Sequence, residues 1–507
     1  MKAPPVARAA TVAAGLVLLL VLAIANAAGY RFGVADQAFY LPSILQAIDP
    51  GLYPRDAAVL SVQGTLMVSD EITAWLVSHT RVSIETLFLS AHVASLGVLL
   101  ASVWLIAGRL ASHRWTMMAC CLAATLRHRI TETGANSFEG YYHPRGLSFA
   151  CGAAAAAACA HERLGAAWAL VAIAAVLHPT TGLWWAVWLS GATVVMRPQW
   201  RRGLVFAAAA AILLAVAALT VTPMADRLQV MDAAWLRPFA SKDYVFPTAW
   251  PVGPWLANLV LPLVVVAVWR WRIRHRLAAR WEAGMVAGVC LLLATFLASL
   301  PFIASHLALA VQLQTSRIFW VIDLFAVLSM TWALAEARGP GTPFVAENAP
   351  GRKRRPAVVA MVLLVAAAAR GTYSLVVEHP ERRFVRSSLE DSDWVRVGRW
   401  VATSSTADSH VLADPDHDWK FGHSVRITAR RDVLVEGVKD AALALYDRDV
   451  AIRVQSRLEA IGDFATLDAT SALTLARRFD LDLLVIDRDV ALEQVHREGR
   501  FRVYRLK

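Results

Sequence analysis

Charged side chains are scarce in this chain: Asp, Glu, Lys and Arg make up 18% of its 507 residues, against 57% hydrophobic residues and a mean hydropathy of +0.48. So little charge excludes an ordinary soluble protein. Apolar runs of about 20 residues, the length that crosses roughly 30 Å of hydrocarbon, recur along the sequence and define a polytopic α-helical membrane protein. Cysteine is also rare. Cys120, Cys121, Cys151, Cys159 and Cys290 lie inside apolar segments without C-x-x-C spacing, which argues against a cysteine metal site and leaves small buried hydrophobes. No G-x-G-x-x-G or Walker pattern is present, so a nucleotide site has no support. The spans show no internal repeat, which counts against the usual two-half transporter plan.

What is abundant is arginine, and its distribution carries the topology. The net charge of +11 comes from residues in short loops between apolar runs, a membrane pattern rather than a nucleic-acid footprint, so no nucleic-acid partner is expected. Eleven spans are expected at 9–29, 82–108, 115–127, 146–160, 164–178, 181–196, 203–222, 253–269, 282–301, 318–336 and 357–373. The first follows Lys2 and Arg8 and ends in Ala25-Asn26-Ala27, a signal-peptidase-like sequence, but its apolar run exceeds the 7–15 residues of a signal core and reads as an uncleaved span. With the N-terminus inside, the cytoplasmic loops, Arg352 and Lys353 among them, carry about 18 basic residues at about four times the density of the opposite loops. An odd number of spans then puts every long polar segment, and the tail beyond residue 373, on the outer side.

The division that follows is a transmembrane domain over 1–373, with a long first outer loop over 30–81, and a soluble domain over 374–507. Short β-prone runs at 409–413, 433–436, 483–487 and 501–505, with helical periodicity at 391–403, 439–460 and 469–479, predict an extracytoplasmic α/β domain. Its polar stretch 414–431, following a strand end, is that domain's best site candidate.

The first loop places Asp36 shortly beyond the first span and Asp56 further on, separated by an apolar segment and the turn Asp49-Pro50-Gly51. The segment 127–146 supplies Glu132, Glu139, Tyr141, Tyr142, His143 and Arg145; His178-Pro179 forms a tight hairpin; and 301–317 ends in Arg317 at a helix mouth. Within the spans, Glu85 and His92 share a helix face and pair with each other or with Asp323, which lies about 9 Å below Arg317 at 1.5 Å per residue. Each residue also has a plain reading. Asp36 and Asp56 stand where helix N-caps stand, His178 marks a helix end, and Arg317 has the place of an interfacial snorkel.

With GVADQAFYLP around Asp36, the loop 30–81 and the tail SDWVRVGRWVATSSTADSHVLADP at 392–415, the chain resembles the membrane-embedded glycosyltransferases of the C-type (GT-C) fold. The resemblance implies transfer of a sugar from a polyprenyl-phosphate carrier to an envelope glycan or lipid acceptor, at the outer face of a bacterial inner membrane. It implies Asp36 as the catalytic base, with Asp56, Glu139, His143, Arg145 and Arg317 binding substrate. A divalent cation, Mg or Mn, is the candidate cofactor, although the first loop has no acidic pair apart from Asp70-Glu71, which lies close to the next span. The alternatives from other classes are a transporter or lipid-handling protein and a non-catalytic envelope assembly protein.

Overall fold

The structure is a computed structural model that describes residues 5–221, 223–337 and 354–507. Lys2, Arg352 and Lys353 lie outside them. All eleven expected apolar segments are helical, but the expectation of eleven spans is corrected. Among the described residues, six helical segments are long and apolar enough to cross a membrane: Ile84–Leu110, Pro198–Thr220, Val252–Arg274, Arg280–Ala304, Ala308–Glu336 and Arg354–Glu378. The apolar part described in the first helix is Ala13–Asn26. The other four segments are the helices Arg114–Ala124, Pro144–Ala160, Leu164–Leu177 and Pro179–Met196. Three of these are under 18 residues and so too short to pass as full spans, because at 1.5 Å per residue they fall short of the roughly 30 Å core. Prolines at the first helical position, Pro144 and Pro179, fix where two of them begin.

The bundle closes tightly where the sequence is small. At the crossing of Pro179–Met196 with Arg280–Ala304, a Cβ on Gly288 would lie 2.4 Å from the Trp188 carbonyl oxygen, and one on Gly191 would lie 2.8 Å from that of Ala287. Glycine at both positions lets the backbones touch, the packing mode of helices in lipid. Trp185, Trp188 and Phe325 fill the space alongside, with Trp188 stacked on Phe325 at 5.0 Å.

The first long loop is itself three helices, Gln37–Ile48, Ala57–Leu66 and Ser69–Thr80. The Asp49 turn forms as expected, its carboxylate accepting the Gly51 N–H at 3.0 Å. Beyond residue 378 the chain builds a five-stranded sheet in the order Asp432–Val433, His410–Leu412, Leu483–Ile486, Phe501–Arg505 and Gln494–Glu498. The first three strands run parallel and the last two form an antiparallel hairpin on the edge. Alternation along Leu483–Ile486 divides the faces. Leu483 and Val485 pack with Trp394, Val397 and Val401 of the helix Asp393–Ser404. Leu484 and Ile486 pack with Val450 and Val454 of Arg448–Ile461 and Leu475 of Ala469–Phe479. Helices thus cover both faces, as the sequence pattern predicts.

This C-terminal unit is seated on the membrane part. Val59 and Val62 of the first loop, Trp235, Phe239 and Val311 share one apolar cluster with Leu412, Leu434 and Leu443. Tyr30 and Arg31 pair in parallel with Val385 and Arg386. Gly33 stands at φ +74°, a backbone conformation that residues with a side chain rarely adopt, and a Cβ there would press on Leu389 Cδ2 at 2.4 Å.

Candidate functional site

The site grows from a helix end. His143 precedes Pro144 and caps the helix Pro144–Ala160, its Nδ1 accepting the backbone N–H of Arg145 at 3.1 Å. A ring nitrogen that accepts carries no proton, so the neutral ring is protonated at Nε2. That nitrogen lies 3.2 Å from Asp36 Oδ2, to which it donates. His178 repeats the device at the helix Pro179–Met196, its Nδ1 accepting from Thr181 N–H at 3.3 Å, and the two rings stand 6.4 Å apart. Two helix N-termini therefore point to the same place, which favours negative charge there. His178 is the helix-end residue its sequence position predicts, and it also borders the site.

Asp36 sits just ahead of the helix Gln37–Ile48, yet its side chain makes no capping hydrogen bond. The cap reading fails because the carboxylate is drawn elsewhere. Besides His143, it has Lys439 Nζ at 3.8 Å and Arg145 Nη2 at 4.0 Å. With 30% of its side chain exposed it is the accessible carboxylate of the group. Partial burial alone would raise its pKa, but the hydrogen bond from His143 and the charges of Lys439 and Arg145 outweigh it and hold the carboxyl far below its ordinary range. Burial, and then the neighbouring Arg145, push His143 down to about 4, consistent with the neutral ring deduced from its partners. The Tyr40 hydroxyl lies 3.3 Å from His143 Nε2.

Arg145 is held from the other side. Glu139 lies 3.9 Å from it and is itself fixed by Arg127 at 3.1 Å and Asn136 at 3.0 Å, while the Arg145 guanidinium sits 5.7 Å from the Trp320 ring centroid. Arg317 lies over the Tyr244 ring at 5.4 Å, and its buried Nε has no hydrogen-bond partner. Asp36, Glu139, His143 and Arg145 are thereby joined by direct contacts, and Arg317 is near enough for its charge to act on Arg145 and Asp36.

Asp56 is not among them. It is fully buried against the C-terminal unit, where its carboxylate accepts from Arg426 Nε at 2.9 Å, Arg453 Nη2 at 2.6 Å and the Val433 N–H at 3.1 Å. Sequence proximity to Asp36 was misleading because the Asp49 turn sends the chain toward the C-terminal sheet. Asp56 is a structural clamp rather than a substrate ligand. Asp323 pairs with His128, at 3.0 Å, and not with Glu85 or His92. His92 packs its ring 5.0 Å from that of Tyr30.

Three contributors escaped the sequence. Lys439 comes from the helix Gly437–Ala444 of the C-terminal unit and reaches Asp418 at 3.5 Å as well as Asp36. Lys242 donates to the Val438 carbonyl at 3.3 Å, beside Lys439, and Tyr40 comes from the loop helix. Asp418 belongs to the stretch 414–431, so that stretch joins this site instead of forming its own.

From Arg145 a narrow cleft with about 30 Å³ of free volume runs between the helices Ile84–Leu110 and Pro144–Ala160, lined by Leu96, Leu99, Glu139, Phe149 and Trp320. It shares Leu99, Ser137, Phe149 and Trp320 with a second narrow cleft, also of about 30 Å³, that continues to His128, Asp323, Leu324 and Val327. The site thus has a charged mouth and a largely apolar extension along spanning helices.

A divalent cation does not fit this donor set. Asp36 faces the cations Lys439 and Arg145 and the Nε2–H of His143, and among the described residues no group of three or more His, Cys, Asp or Glu is placed to hold a metal. No family model matches the chain, and no curated protein is significantly similar to it.

Proposed function

We propose that this chain is a GT-C-type glycosyltransferase of a bacterial inner membrane, moving a sugar from a polyprenyl-phosphate carrier to an envelope glycan or lipid acceptor. In this reading the site and the C-terminal unit face the outer side. The observation that carries it is the position of Asp36. It is an accessible carboxylate among Arg145, Lys439 and Arg317, beside a narrow cleft lined mainly by apolar side chains.

The chemistry follows from those groups. The acceptor hydroxyl attacks the anomeric carbon and gives its proton to Asp36, which acts as general base. The bond from the anomeric carbon to the phosphate oxygen breaks with its electron pair going to the phosphate, whose growing charge Arg145, Lys439 and Arg317 stabilise. His143, fixed by its cap, orients Asp36, and Glu139 orients Arg145. The carrier's isoprenoid chain enters the narrow cleft by parting Phe149 and Trp320, whose rings stack at 3.9 Å. The test is conversion by the purified protein of a bacterial lipid extract, followed by mass spectrometry. Depletion of a polyprenyl-phosphate sugar with matching release of polyprenyl phosphate is expected, and an unchanged lipid pool would refute the proposal.

A second reading, a proton-coupled transporter, draws on one observation, the ion pair of His128 with Asp323 at the inner end of the cleft. It requires pH-gradient-driven solute uptake into proteoliposomes.

A further inference from the structure

Asp36 poses a chemical problem as a base: three cationic or hydrogen-bonding groups already compensate its charge. A carboxylate so held takes a proton poorly. The groups that hold it are also those a phosphate would seek. Arg145, Arg317, Lys242 and Lys439 surround the position, whereas Glu139 is committed to Arg127 and Asn136. Arg317 forms no ion pair among the described residues, so positive charge is in excess. Lys439 is well placed to change partners. Its ammonium lies 3.8 Å from Asp36 and 3.5 Å from Asp418, ion-paired with both, and 5.5 Å from the Phe39 ring centroid.

We infer that a phosphate-bearing lipid enters by exchange. Its phosphate takes Lys439 and Arg145 from Asp36, so the carboxylate is released to act as a base only when the lipid is in place. Lys439 is then a positioning residue through which the C-terminal unit takes part in the reaction. The inference rests on the lipid-phosphate reading above. During transfer the leaving phosphate gains charge and keeps the two cations, while Asp36 takes the acceptor proton and becomes neutral, so the exchange reverses only after the phosphate departs.

The test is equilibrium binding to the full chain in detergent, with farnesyl phosphate as the probe and inorganic phosphate as the second arm. A ligand that must displace Asp36 binds with an affinity reduced by the fraction of sites unmasked, so Asp36→Asn is expected to bind farnesyl phosphate roughly tenfold more tightly than the native chain. Lys439→Met should weaken binding and abolish the gain from Asp36→Asn in the double variant, and Lys439→Arg should restore both. A purely structural role for Lys439 would leave the gain intact. Unchanged or weaker binding by Asp36→Asn overturns the exchange, as does inorganic phosphate binding the native chain as tightly as farnesyl phosphate. Exchange without sugar transfer would leave this inference standing and remove the transferase reading; transfer without exchange would do the reverse.

Discussion

Asp36→Asn is expected to slow sugar transfer about 10²–10⁴-fold, the contribution of a positioned general base. The substitution is close to isosteric, and the Asn carbonyl can still accept the hydrogen bond that His143 Nε2 donates to Asp36. Asp36 makes no capping hydrogen bond to the helix Gln37–Ile48, so that helix does not depend on the carboxylate. The variant should therefore fold, with a lowered thermal unfolding temperature, because the depressed carboxyl of Asp36 adds stability to the native chain and its loss leaves Arg145 and Lys439 less compensated. Initial rates at saturating lipid check the effect. Because the carboxylate competes for Lys439 and Arg145, the loss should fall on kcat while KM for the lipid donor stays level or drops. Native kcat in the variant would remove Asp36 from the chemistry.

Arg426→Ala should be the most destabilising single change at the junction of the two units, costing about 3–5 kcal/mol, as removal of one partner from a buried ion pair does. Arg426 is 1% exposed and holds Asp440 in a two-pronged contact at 2.6 and 3.0 Å while donating to Asp56 at 2.9 Å. Its backbone carbonyl also accepts the Tyr53 hydroxyl at 2.7 Å. Truncation leaves Asp440 without its guanidinium, and only Arg453, with Arg457 behind it, continues to offset Asp56. Burial acts to raise the Asp56 carboxyl, but Arg426 and Arg453 outweigh it and hold it below its ordinary range. A carboxyl depressed on folding adds stability above its unfolded pKa, about 3.9, and that stability is lost as pH falls through the folded value. In Arg426→Ala the freed carboxylates are pushed the other way, so the variant should gain stability as pH drops from 7 toward 5. Denaturation at both pH values measures it, and a variant with native stability at pH 7 would show that the clamp contributes little.

Helix positions were legible because each apolar run is long and bounded by Arg-rich loops or Pro. Their ability to span was not. His143-Pro144 closes the polar segment 127–146 and His178-Pro179 the hairpin between two apolar runs, as read from the sequence, but the helices they begin are short and pack within the bundle. In the C-terminal unit, four strands announce themselves through β-branched and aromatic residues. The fifth, Gln494–Glu498, reads QVHRE; a polar, half-exposed edge strand carries no apolar alternation. Among site residues, His143 and Arg145 were visible because they share one loop. Lys439 was not, since nothing local in Gly437–Ala444 marks a lysine as facing a carboxylate 403 positions earlier in the chain. Asp56 shows the converse error: its closeness in sequence to Asp36 says nothing of the turn at Asp49 that separates them in space.

The central claim is that a phosphate-bearing lipid lies with its head among Arg145, Lys439 and Arg317 and its chain in the cleft beyond. Photocrosslinking with a polyprenyl phosphate carrying a diazirine near its head group tests this most directly, read out by peptide mass spectrometry. Crosslinks are predicted on the cleft lining, at Phe149, Trp320, Leu324 or Val327, and should disappear when unlabelled polyprenyl phosphate is added. Crosslinks confined to the bilayer-exposed helix Pro198–Thr220, unaffected by competitor, would contradict it.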